Sequence, residues 1–161
     1  MGSALPGVAL LVTSPLDRCR QSAEIIAESA SISEIRVDER LIELDYGDLD
    51  LVPMRDIPSE VWKAWQADAD FRPPGGESLN EMATRVESCL DELWPQSATG
   101  DIAVVTHVSP IKAAVAWALR VPIDISWRCR VSQASITKLG SGAGGPSLHS
   151  FNDTAHLVET G

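Results

Sequence analysis

The chain has 161 residues, a length that suits one domain with a substantial core. Its formal charge of −10 argues against general nucleic-acid binding or attachment to anionic membranes, so a phosphate-bearing ligand would have to be drawn by a local positive pocket. No run reaches the roughly 18 apolar residues of a membrane span, and Cys19, Cys89 and Cys129, without C-x-x-C spacing, read as reduced thiols of a cytoplasmic protein.

In chain order, Val8–Val12 is an apolar run that reads as a buried strand. Thr13-Ser14-Pro15 leads into a helix whose Leu16, Cys19, Ala23, Ile26 and Ala27 keep one apolar face at helical spacing. Arg18 falls in the first turn of that helix, beside N-terminal amides that already favour anions. A cation there opposes the helix dipole, which points to anion binding, although a surface arginine is the competing reading.

Ile35–Val37 reads as a further short strand, followed by the acidic segment Asp38–Asp50. Within it Glu43 stands between Ile42 and Leu44, which marks either a partly shielded carboxyl or one member of a solvated acidic loop. Ile57–Ala67, with Trp62 and Trp65, reads as a short amphipathic helix or a flap. Phe71–Ser78 (F-R-P-P-G-G-E-S) is an ordered loop, and Ser78-Leu79-Asn80-Glu81 is a capping box. Met82, Val86, Leu90 and Leu93 carry the helix it opens to about Leu93.

Ile102–Val105 is rich in β-branched residues and predicts a strand buried on both faces. Ser109 offers a cap oxygen, Pro110 suits a first helical turn, and Ile111–Leu119 continues as a helix. His107 therefore lies on the turn between strand and helix, at the carboxyl end of the sheet where open α/β folds bind ligands. Arg130–Leu139 and Ser147–Phe151 read as further strands. Gly140–Gly145 matches G-x-G-x-x-G, but no helix follows, so it is a hairpin loop rather than a dinucleotide site. His107, His149 and His156 have no metal-ligand spacing, and neither a metal nor a cofactor is expected. The residues alone thus describe an α/β protein with two strand–Ser-Pro–helix corners, one holding Arg18 and the other His107, suited to an oxyanion or phosphate ester.

Five segments in order, S-P-L-D-R-C-R-Q-S-A-E, L-I-E-L-D-Y-G, P-G-G-E-S, V-V-T-H-V-S-P-I-K-A and F-N-D-T-A-H-L, resemble the histidine phosphatase superfamily, also called the phosphoglycerate mutase-like family. The resemblance covers nearly the whole chain. It implies a three-layer α/β/α sandwich with a mainly parallel sheet. It also implies that Arg18 grips the phosphoryl oxygens as a charged fork. His107 then stabilises the equatorial oxygens in the transition state, and Glu43 protonates the leaving alkoxide and later activates water.

Two departures follow from the same resemblance. Family members begin with a strand ending in R-H-G, whose histidine attacks phosphorus; this sequence has no R-H-G and no histidine before His107. Residues 1–161 are therefore expected to be a single family domain that is N-terminally incomplete, lacking the first strand and inactive for want of the nucleophile. Val108 stands where the family usually has glycine beside the second histidine, leaving a backbone N–H for phosphate in a narrower pocket. The expected ligand is a small phosphorylated metabolite or inorganic phosphate, and a homodimer through exposed strand edges is a further expectation. A non-catalytic phosphate-binding or interaction protein on this fold is the alternative.

Overall fold

The computed structural model describes residues 7–142 and 144–157. Strand β1 (Val8–Thr13) lies at the centre of a three-stranded parallel sheet, between β2 (Ile35–Val37) and β3 (Asp101–Val105). Side chains alternate across this sheet as strand geometry requires. Leu11, Ile35, Ala103 and Val105 pack against Ala23, Ile26 and Ala27 of helix α1 (Asp17–Ala30). Leu10, Val12, Ile102 and Val104 face the other way, onto Cys89 and Leu93 of a second helix. That alternation builds the three-layer α/β/α sandwich, with the sheet between helices.

The remaining helices form a second core beside the sheet. Helix α2 (Ser59–Ala67) supplies Trp65, α3 (Leu79–Leu93) supplies Met82, Ala83 and Val86, and α4 (Val108–Leu119) supplies Ala113 and Ala116. The Ser78 box is formed as its spacing predicts: Glu81 N–H donates to Ser78 Oγ at 3.2 Å and Ser78 N–H to Glu81 Oε2 at 2.9 Å. The Phe71–Ser78 loop is ordered against the acidic segment. Asp48 N–H donates to Pro74 O at 2.8 Å, and a Cβ on Gly47 would stand 2.2 Å from that same oxygen.

Three local expectations change. The strand at Ile102–Val105 is half-buried instead of enclosed on both faces, because β3 is an edge strand with β1 as its one partner among the described residues. Helix α4 begins earlier than its Ser-Pro signal: His107 is the N-cap, and Ser109 and Pro110 lie inside the first turn. Strand β4 (Ile136–Gly142) starts later than Arg130, since Ala134 at φ 54° and the bond from Ser132 N–H to Asn152 Oδ1 turn the chain first. Strand β4 pairs antiparallel with β5 (Gly145–Asp153) in a separate two-stranded sheet lying against α4.

Candidate active site

Because β1 and β3 run parallel, their carboxyl ends open on one edge, where Ser14 N–H donates to Val105 O at 2.9 Å. The first turn of α1 and the start of α4 therefore converge, and Arg18 meets His107. His107 is only 7% exposed. Arg18 Nε donates to its Nδ1 at 3.1 Å, and its Nε2 lies 2.8 Å from Ser14 Oγ and 3.4 Å from Cys19 Sγ. Arginine can only donate, so Nδ1 is the accepting nitrogen and the ring proton is assigned to Nε2, which donates to the Ser14 hydroxyl. Burial pushes the His107 pKa down, and the Arg18 charge adds to it, with Glu43 opposing and Arg85 assisting. The free site thus holds a neutral imidazole.

Glu43 reaches the same helix start from the acidic segment. Its Oε1 accepts the backbone N–H of Leu44 at 2.9 Å and of Ser109 at 3.1 Å, placing a carboxylate at the positive end of α4. Arg85 of α3 fixes this segment from below. Its guanidinium donates to the carbonyls of Arg40 at 2.8 Å, Ile42 at 2.7 Å and Glu43 at 3.1 Å while pairing with Glu77. Val108 is the first residue of α4 and is 41% exposed.

Of the residues singled out in the sequence, Arg18 and His107 are in direct contact. Glu43 joins them through the Ser109 amide and through its charge, not by touching either side chain. His149 is exposed on β5 and His156 lies in the turn after it; neither bonds to the cluster. Two participants had gone unread. Ser14 stands in the sequence only as part of the turn between strand and helix, yet its hydroxyl holds His107. Arg85 had a signal in the sequence, an arginine set next to the apolar stripe of Met82 and Val86. Among the described residues no group of three or more histidine, cysteine or acidic side chains could hold a metal ion, and no helix is long and apolar enough to cross a membrane.

Residues 3–154 match the family model of the histidine phosphatase superfamily, branch 1. The bifunctional protein Rv2228c of Mycobacterium tuberculosis is 30% identical over 155 residues, covering 94% of this chain. The chain spans only 42% of that relative's length. A probable phosphoglycerate mutase GpmB of Erwinia tasmaniensis is 29% identical, with 96% of this chain and 75% of the relative covered. Among solved structures, the mycobacterial glucosyl-3-phosphoglycerate phosphatase Rv2419c in complex with inorganic phosphate superposes with a TM-score of 0.79 at 26% identity, covering 94% of this chain and 80% of that one. The same phosphatase has also been solved with VO3, and that structure gives a TM-score of 0.78 at 26% identity over 95% of this chain and 79% of that one.

Proposed function

Since the chain belongs to the histidine phosphatase superfamily, we propose that it carries the transition-state half of a phosphomonoesterase site. In the complete domain this site would hydrolyse a small phosphorylated metabolite in the cytoplasm through a phosphohistidine. The observation that carries this reading is the convergence of Arg18, His107 and Glu43 at two helix starts on one sheet edge.

Each residue has a task set by its place. Arg18 leaves Nδ1 of His107 and grips two phosphoryl oxygens, which its planar fork matches better than an ammonium would. His107 donates to a third oxygen as charge builds there. The first amides of α4, beginning at Val108, add backbone dipoles. A nucleophilic imidazole nitrogen attacks phosphorus and the bond from phosphorus to the ester oxygen breaks. Glu43, in its protonated form, gives its proton to the departing alkoxide; as a carboxylate it then takes a proton from the water that cleaves the phosphorus–nitrogen bond. Arg85 is a positioning residue that holds the carbonyl of Glu43 and those just before it.

Neither His149 nor His156 bonds to the cluster, which supports a scheme whose nucleophile is none of these three histidines. That same observation favours a second reading, a phosphate-binding protein without turnover. Residues 1–161 should leave a chromogenic phosphate monoester at background, since losing a nucleophile costs roughly 10⁶ in rate in a serine protease. Turnover that disappears in His149→Ala or His156→Ala, neither of which bonds to the cluster, would point to one of the chain's own histidines as the attacking group and would overturn the assignment.

A further inference from the structure

Beside Glu43 lies a cavity of about 350 Å³, a volume within the range of small-molecule sites. It adjoins the cluster through Leu44, the residue after Glu43, and through Ser109. Ser109, whose amide binds Glu43, lines it, and so does Tyr46, whose hydroxyl is 3.5 Å from Ser109 Oγ. Glu43 is the group that protonates the leaving oxygen in the scheme above, so the alcohol part of an ester must extend on this side. Resting on that reading, the contents of the cavity bear on what the alcohol is.

Its walls are aromatic to an unusual degree for a chain with 5% aromatic residues. Trp62 and Trp65 stack with centroids 5.8 Å apart and planes 19° apart, and Trp127 stands edge-on to both at 6.0 Å. Tyr46 meets Trp65 edge-on at 5.8 Å. At the mouth, Met54 is 70% exposed, an apolar rim with nothing over it among the described residues. The polar side chains of the lining besides Tyr46 are Ser109, Ser126, Lys112 and the exposed Asp50, whose carboxylate accepts the Leu51 N–H at 3.1 Å. The indole N–H groups of Trp65 and Trp127 are buried without an acceptor. Lys112, half-buried one turn into α4, lines the same space and makes no ion pair with a described residue. An unpaired ammonium in that setting repels a cation and receives an anion or a strong acceptor.

We propose that the substrates are phosphate monoesters of flat, largely apolar alcohols, aromatic or heteroaromatic, that carry a hydrogen-bond acceptor or second anionic group for Lys112, rather than short polyol or amino-acid phosphates. A ring entering this space buries apolar area against the tryptophans, while an outlying carbonyl or carboxylate satisfies Lys112 or an indole N–H. A glycerol-sized group would fill little of the volume and pair with few of its walls.

Binding tests this without requiring turnover. Quenching of tryptophan fluorescence and calorimetry would compare 1-naphthyl phosphate, glycerol 3-phosphate and inorganic phosphate on wild type, Arg18→Ala, Trp127→Leu and Lys112→Met. Naphthyl phosphate is expected to bind about tenfold or more tightly than glycerol 3-phosphate. Trp127→Leu should narrow that gap without changing the affinity for inorganic phosphate. A naphthoate bearing the phosphate ester should lose its added affinity in Lys112→Met. Equal binding of the aryl and glycerol esters, both dependent on Arg18, would overturn the substrate class and leave the phosphate site standing. Binding of all three unaffected by Arg18→Ala would overturn the phosphate site itself, and the substrate class with it.

Discussion

Burial and the Arg18 charge both hold His107 in its neutral form, and this has a consequence for stability. The unfolded chain protonates such a histidine at a pKa of about 6.5, whereas the folded site resists protonation to lower pH. Between those two values the unfolded state binds more protons, so stability is complete above about pH 6.5 and is lost as pH falls toward the folded pKa. Chemical denaturation across pH 7.5 to about 5 should show this decline, and His107→Gln should flatten it. Asp38, held well below the usual carboxylate range by its bonds to Arg40, contributes in the same direction but at more acidic pH. A decline over the upper window that persists in His107→Gln would assign the effect to another group. A bound phosphate reverses the balance at this residue: replacing Arg18 at Nδ1, it draws a proton onto the ring, so binding should take up protons near neutral pH.

At the level of elements, the helix starts decide the site. Helix α3 is begun by its own sequence, and Ser78→Ala should cost about 1 kcal/mol of stability, read as a shift in the denaturation midpoint at constant slope. Helices α1 and α4 have no side-chain cap of this kind. For α4 the acceptor arrives from Glu43, 66 residues away in sequence, and before α1 the Ser14 hydroxyl takes both the Leu16 N–H at 3.4 Å and His107 Nε2 at 2.8 Å. This contrast explains how far the sequence could be read. Local rules located β2, α3 and the Ser78 cap, because each depends on neighbours within a few residues. The layers followed from apolar alternation. The start of α4 lies ahead of its Ser-Pro signal, because Glu43, a long-range partner, takes the Ser109 N–H that a local cap would serve. Arg18, Glu43 and His107 are drawn together as one candidate site by five ordered motifs, where spacing alone leaves each no better than even against a surface or core role.

For the whole molecule, the outer edge of β3 is the exceptional feature. Its apolar residues Ile102 to Val105 stay half-buried, and no strand among the described residues pairs with that edge, while β4 and β5 form a sheet of their own. An unpaired outer edge of this kind invites pairing with another copy of the chain. Residues 1–161 alone should therefore associate as concentration rises in sedimentation velocity; a monomer that unfolds cooperatively at every concentration would argue for a chain already adapted to this edge. The central claim, that Arg18 and His107 together form a phosphoryl site, is most directly tested by titrating vanadate into wild type and Arg18→Ala by calorimetry in two buffers of different ionisation enthalpy. The expected result is saturable binding to wild type with net proton uptake, lost or greatly weakened in Arg18→Ala. Equal binding by the two proteins, or binding with no proton uptake, would contradict it.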